Sequence, residues 1–273
     1  MFFSHIFFEV SELGIIEALL LGLVQALTEF LPVSSSGHLV LSQHWLGIQA
    51  AGDAAFEVAV HLGTLLSILV ILRSEVGDLL KGFIRTESRT KVWREELSFI
   101  LISAIPAGLI GVLFKDQLEN AFGSIQAVSL ALMATGVILL TTYKRSGNRQ
   151  QVKLSDAILI GIAQAIAILP GVSRSGSTIS LALWLGIQRE RAARLSFLMS
   201  IPVIGGAGLL KALDLIKSPI DAEMYIMMLI GMSSSFIFGL GALSIMLKWI
   251  SKPSFAYFGF YCFGLGISIF YLF

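Results

Sequence analysis

Two polar loops, Pro32-Val-Ser-Ser-Ser-Gly-His38 and Pro170-Gly-Val-Ser-Arg-Ser-Gly-Ser-Thr178, lie inside apolar sequence, and what flanks them decides the fold. Gly14–Leu31 leads into the first loop and Leu39–Leu46 follows it; Ala157–Leu169 leads into the second and Ile179–Ile187 follows. Both following runs fall well short of the ~20 apolar residues a helix needs to cross a bilayer. Pro, Gly and Ser end helices and make turns. Each region therefore reads as a helix–loop–helix hairpin that dips into a membrane and returns. Non-helical backbone at membrane depth is tolerated only where protein buries it or it lines a wet cavity. Both loops are thus candidate functional sites.

The rest of the chain supplies the membrane. Of its 273 residues, 56% are hydrophobic and 14% charged, against roughly a quarter charged in a soluble domain, and mean hydropathy is +0.85. Six stretches are long and apolar enough to span: about Ala54–Leu72, Leu97–Phe114, Ile125–Tyr143, Ala192–Leu213, Tyr225–Leu247 and Ser254–Leu272. A net charge of +1 gives no field to recruit nucleic acid. The single cysteine, Cys262, has no intrachain partner for a disulfide. Met1–Phe8 lacks the basic region and cleavage site of a signal peptide, so the first segment is expected to stay in the mature protein.

The hairpins are also repeats of each other. A shift of 139 positions pairs Gly22, Gln25, Ala26, Val33, Ser34, Ser36 and Gly37 with Gly161, Gln164, Ala165, Val172, Ser173, Ser175 and Gly176, without a gap. The chain reads as one membrane domain over 1–273 made of two halves, 1–147 and 148–273. Each half holds one hairpin and three crossings, and an odd number of crossings inverts the second half. Basic residues agree. Arg73, Lys81, Arg85, Arg89, Lys91 and Arg94 crowd one loop and Lys115 stands alone in the next; Lys144, Arg145, Arg149, Lys153, Arg189, Arg191, Arg194, Lys248 and Lys252 fall on the richer side, whereas Lys211 and Lys217 lie opposite. That side is cytoplasmic by the positive-inside rule. Both termini and the mouth of the first hairpin then lie outside, and the hairpins meet from opposite faces near the midplane. The expected fold is all-α: six transmembrane helices plus two re-entrant hairpins in an inverted-topology repeat.

Gln25 and Glu29 are four apart and share a helix face. A glutamate at membrane depth is costly and by default functional, and this one can hold a divalent cation or a proton. Beyond the turn, Ser34, Ser35 and Ser36 offer hydroxyls, and His38 titrates near neutrality. The free N–H groups at the start of each second arm form an anion site. In the second loop Arg174 stands where the first has Ser35; its guanidinium forks onto phosphate oxygens and stays charged. Ser173, Ser175, Gly176, Ser177 and Thr178 complete a cradle. Each hydroxyl alone could equally be a helix cap, and Arg174 a structural partner for Glu29. Together they are an inventory for phosphoryl transfer: positive charge, a hydroxyl or water nucleophile, and a proton acceptor. There is no G-x-x-x-x-G-K phosphate loop. His5, His44 and His61 lack partners at zinc-ligand spacing, and Glu57 is kept as a minor candidate beside its reading as an ordinary acid at a helix start.

Gln25-Ala-Leu-Thr-Glu-Phe-Leu-Pro-Val-Ser-Ser-Ser-Gly-His38 and Leu169-Pro-Gly-Val-Ser-Arg-Ser-Gly-Ser-Thr-Ile179 resemble the two signatures of the BacA/UppP family, the undecaprenyl-diphosphate phosphatases of bacterial inner membranes. Glu190–Pro202 and Phe56–Gly63 also look like family sequence. The resemblance implies hydrolysis of undecaprenyl diphosphate to undecaprenyl phosphate and inorganic phosphate. That recycles the lipid carrier for peptidoglycan and other envelope polymers, with bacitracin resistance on overexpression. It implies a divalent cation, Mg2+ or Ca2+, held by Glu29 and Gln25, and an active site on the periplasmic side. It assigns the chemistry to Glu29, Ser35, His38 and Arg174, with Ser35 or a water attacking and His38 taking the proton. Substrate contacts fall to Gln25, Ser34, Ser36, Ser173, Ser175, Gly176 and Thr178. The sequence departs from the family at Gln25, where the pattern has a second glutamate, which shifts weight onto Glu29. A lipid flippase is the rival reading, because paired re-entrant hairpins are also transporter architecture. The acid-phosphatase-like lipid phosphatases are excluded: their second motif needs a histidine where this chain has Ser180.

Overall fold

A computed structural model describes residues 13–48, 54–85, 87, 90–145, 147–250 and 252–273, the side chains at 115, 116 and 119 apart. The expectations for Met1–Phe8, His5, Arg89 and the Lys115 side chain lie outside the described residues.

The first loop sits between α1 (Ile15–Phe30) and α2 (Ser35–Trp45), the second between α8 (Leu154–Ile166) and α9 (Arg174–Trp184). Both second arms start about four residues earlier than their apolar runs, so the serines, Arg174 and His38 stand in the first helical turn rather than in the loop. Capping explains the early start. Ser34 Oγ accepts from Gly37 N at 3.3 Å and Ser173 Oγ accepts from Gly176 N at 3.0 Å, each filling one of the orphan N–H positions of a helix start. The two caps are 139 positions apart. Ser34 is the one described non-glycine residue with positive φ, at 69°, a conformation that costs energy and is held by its surroundings.

The other helices are α3 (Ala54–Ile71), α4 (Arg73–Ile84), α5 (Lys91–Leu113), α6 (Lys115–Phe122), α7 (Ile125–Leu140), α10 (Arg189–Lys217), α11 (Ala222–Trp249) and α12 (Phe258–Leu272), the last preceded by a 3-10 turn at Pro253–Tyr257. Among the described residues five segments are long and apolar enough to cross a membrane: Ala54–Ile71, Lys91–Leu113, Arg189–Lys217, Ala222–Trp249 and Pro253–Leu272. The sixth expected span, Ile125–Tyr143, is helical only over the 16 residues Ile125–Leu140. No strand forms among the described residues. Large apolar side chains such as Ile16, Val112, Leu209 and Ile237 are more than 60% exposed, as a lipid-facing surface requires.

Helices α1 and α3 both pack on α11, α7 packs on α12, and α5 on α8. Small residues let these backbones approach. A Cβ on Gly136 would stand 2.7 Å from Gly259 O, and one on Gly259 would stand 2.6 Å from Gly136 O; such contacts replace the hydrophobic drive that lipid cannot supply. Phe30, at the end of α1, meets Phe197 of α10 edge to face at 5.7 Å, which fixes the first turn against the helix that flanks Arg174.

The open end of the second hairpin is clamped. Arg149 donates to Asp156 Oδ2 at 2.5 Å and to Leu185 O at 2.8 Å, tying the start of α8 to the end of α9. Asp156 also accepts from Lys153 N at 2.8 Å. Burial alone would raise the Asp156 carboxyl, but the Arg149 hydrogen bond and the Lys153 N–H outweigh it and hold it below its usual range.

Candidate functional site

The two turns touch. Ser175 Oγ donates to Leu31 O at 3.2 Å, and a Cβ on Gly37 would stand 3.0 Å from Gly171 Cα. Gly171 has φ +92° and packs on α7, while its carbonyl accepts from Thr135 Oγ1 at 2.9 Å and Thr135 Oγ1 in turn accepts from Ser173 N at 3.1 Å. At the contact sits Glu29, in the last turn of α1 with only 6% of its side chain exposed. Its Oε1 is ion-paired to Arg174 Nη2. Its Oε2 accepts from Ser35 Oγ at 2.5 Å and from Gln25 Nε2 at 3.1 Å. One carboxylate therefore joins the first arm, the second arm and the opposite hairpin. A buried charge pair is retained at a desolvation cost, and here the pair lies beside a hydroxyl that donates to it.

Arg174 is held from behind. Its Nη1 donates to Ser196 O at 3.3 Å, Thr178 Oγ1 donates to Arg174 O at 2.8 Å, and the Thr178 and Ser196 hydroxyls are 2.6 Å apart. Ser196 thus orients the arginine from α10; it lies in the family-like stretch Glu190–Pro202, which gave it no role. Thr178 is fully buried and bonded to its own helix and to Ser196; it supports Arg174 instead of facing a ligand. Ser175 is turned to Leu31 O, and Ser173, Gly176 and Ser34 are engaged in the two caps. Ser36 Oγ lies 3.3 Å from Ser34 Oγ.

His38 is not where its motif suggests. Its Nδ1–H donates to Ser34 O at 2.7 Å, and its Nε2 meets the Tyr261 hydroxyl at 2.8 Å, with the two rings stacked. Three residues along α2 from Ser35, it turns toward α12, and the group that Ser35 Oγ reaches is Glu29. The structure thus places the His38 ring against Ser34 O and Tyr261, and the carboxylate oxygen that Ser35 Oγ reaches is Glu29 Oε2.

A different histidine approaches the site. His61, which has no partner at zinc-ligand spacing in the sequence, places Nε2 3.7 Å from Glu29 Oε2. Its Nδ1–H donates to Glu57 O, one turn earlier in α3, at 2.7 Å. Thr64, on the same face, is 3.5 Å from Gln25 Nε2. The missed signal is a polar stripe, Glu57, His61, Thr64 and Ser67, at helical spacing in an otherwise apolar span.

A buried carboxylate is thus paired across two polar hairpin turns with a serine hydroxyl aimed at it, and a family match spans both turns. The model of the bacitracin resistance protein BacA family matches residues 18–268. The chain belongs to the BacA family. Its relatives include proteins named undecaprenyl-diphosphatase in Salinibacter ruber, 43% identical over 92% of this chain and 96% of the relative. Another in Rubrobacter xylanophilus is 40% identical over 94% of this chain and 97% of the relative. One in Korarchaeum cryptofilum is 40% identical over 93% of this chain and 98% of the relative.

Proposed function

We propose that this BacA-family chain is an undecaprenyl-diphosphatase. It releases the terminal phosphate of the lipid diphosphate and returns the monophosphate carrier to envelope polymer synthesis, and excess enzyme gives bacitracin resistance. The observation that carries the reading is the Arg174–Glu29–Ser35 chain, a phosphate-binding cation and a nucleophile sharing one buried carboxylate.

In this reading the terminal phosphate displaces Glu29 from part of the Arg174 guanidinium and takes its forked donors. The N–H groups at the starts of α2 and α9 face the same anion. Ser35 Oγ, or a water in its place, attacks phosphorus in line with the bridging oxygen. Its proton passes to Glu29 Oε2, the bond from phosphorus to the bridging oxygen breaks, and that oxygen leaves on undecaprenyl phosphate. Attack by water yields inorganic phosphate at once, whereas attack by Ser35 leaves a phosphoserine that a water, giving its proton to the enzyme, then cleaves to inorganic phosphate and free Ser35. Gln25 and Thr64 hold the carboxylate side. His38, with Tyr261, holds the first turn of α2.

A divalent cation fits these residues as a companion of the substrate. Gln25 Oε1 is buried with no hydrogen-bond partner, an open oxygen donor one turn from Glu29. Among the described residues no three His, Cys, Asp or Glu side chains gather to cage an ion. Glu29 and Gln25 would therefore hold Mg2+ or Ca2+ with phosphate oxygens and water as the remaining ligands. Bound there, the cation would neutralise phosphate charge.

We place the chain in the bacterial inner membrane as six crossings, counting α7, plus two re-entrant hairpins in an inverted repeat. The site opens to the periplasm and both termini lie on that side. The matching caps 139 positions apart and the basic-residue asymmetry support this arrangement. An apolar groove of ≈ 450 Å³ between α1 and α11, lined by Leu19, Ile226, Leu229, Ile230 and Ile237, is the surface assigned to part of the isoprenoid chain; Leu19 is about 15 Å along α1 from Glu29. Phosphate release by purified protein in detergent tests the proposal, and full activity in Glu29→Ala or Arg174→Ala would refute it.

A further inference from the structure

We propose that His61 is the third protein ligand of the divalent cation, so that this chain's site is a mixed nitrogen and oxygen site. The inference rests on the phosphatase reading above and adds the ligand that distinguishes this chain's site from an all-oxygen one.

Three observations converge. First, His61 Nε2 faces Glu29 Oε2 at 3.7 Å, too long for a hydrogen bond. Ligands of an octahedral ion, each about 2.1 Å from it, stand about 3 Å apart when adjacent and about 4.2 Å apart when opposite; the observed separation lies between. Second, the other ring nitrogen is already committed. Nδ1–H donates to Glu57 O at 2.7 Å, which fixes the tautomer and directs the Nε2 lone pair at Glu29, the arrangement that orients metal-ligating histidines. His38 offers no such lone pair, because its Nε2 is taken by Tyr261. Third, Gln25 Oε1 is buried without a partner while its Nε2 occupies Glu29 Oε2. Turning that amide over about its last torsion would satisfy the orphan with the cation and leave Gln25, Glu29 and His61 on one ion. Gln25 brings no charge, so the neutral imidazole completes the set without adding one.

Mn2+ shares the oxygen-ligand chemistry of Mg2+ and Ca2+ and is paramagnetic, so it reports which protein atoms hold the cation. The experiment uses full-length protein in detergent with Mn2+ and inorganic phosphate as probes. Electron paramagnetic resonance titration measures Mn2+ affinity, and its pulsed form reads nitrogen coupling in protein labelled with 15N-histidine. Expected is a histidine nitrogen coupling in wild type that disappears in His61→Gln and persists in His38→Asn, with Mn2+ affinity falling at least about tenfold in His61→Gln. His61 is partly exposed and its ring hydrogen-bonds within its own helix, and unchanged thermal unfolding of His61→Gln verifies an intact fold. Mn2+ bound through Glu29 with no histidine coupling, or equal affinity in His61→Gln, overturns the assignment of His61 alone. No Mn2+ binding by wild type, together with phosphate release that survives chelator, overturns the cation reading itself and with it this inference.

Discussion

The Arg174–Glu29 pair should separate stability from activity. Arg174→Met leaves Glu29, 6% exposed, with hydroxyl, amide and imidazole neighbours but no formal positive charge bonded to it. Removing one partner of a buried pair costs about 3–5 kcal/mol. At roughly 2–4 °C per kcal/mol for a chain of this size, the unfolding midpoint in detergent should fall by about 6–20 °C. Replacing both partners is far cheaper, because a buried pair exchanged for neutral groups of similar volume is often neutral. Arg174→Met with Glu29→Gln should therefore regain most of that loss. Activity should not follow. A donor aimed at developing charge is worth ~10²–10³ in rate, and an arginine on a transferring phosphoryl group ~10³–10⁵. The double variant should thus be stable and inactive when phosphate release from undecaprenyl diphosphate is measured beside thermal unfolding. A double variant with near wild-type turnover would make the pair a structural tie and refute its role in phosphate chemistry. An unchanged midpoint in Arg174→Met would refute the coupling of the two charges.

Other expectations follow from the same geometry. Ser35→Ala should lower turnover by at least about 10²-fold with little change in unfolding, whereas His38→Asn should resemble Tyr261→Phe in effect and cost less, since His38 reaches Tyr261 and not Ser35; paired kinetic measurements decide. Gly171→Ala forces a side chain into φ +92° with Val128 O 2.5 Å from the new Cβ and should cost about 1–3 kcal/mol, read as a lowered unfolding midpoint. Asp156, with its carboxyl held below the usual range, contributes stability above its unfolded value that is lost as pH falls through the folded one. Unfolding of Asp156→Asn should accordingly be less acid-sensitive than wild type below about pH 4.

Much of the site is legible in the sequence because the chemistry sits in local motifs. Glu29, Ser35 and Arg174 announce themselves as polar groups in apolar context, and the 139-residue offset by itself pairs the two turns. Directions are not legible. His38 follows Ser35 by three residues, yet the helix that starts at Ser35 turns its ring toward α12, so proximity in the motif does not become contact. Thr178 reads as a phosphate donor and instead braces Arg174 through Ser196, whose part depends on how α10 packs. His61 lies 32 residues beyond Glu29 and reaches it only because Gly63 of α3 lets that helix close on α11 while α1 packs on the same partner. The expected sixth span is overlong by its polar end: helix α7 stops at Leu140, where Thr141-Thr142-Tyr143 turns and Arg189 Nη2 donates to Thr142 O at 3.1 Å.

The central claim is hydrolysis at Glu29, Ser35 and Arg174. Purified protein in detergent, given undecaprenyl diphosphate, should release one inorganic phosphate for each undecaprenyl monophosphate formed, and the stable double variant Glu29→Gln with Arg174→Met should abolish that release. Movement of the lipid across proteoliposomes with no phosphate released in either preparation would contradict the account and favour a flippase.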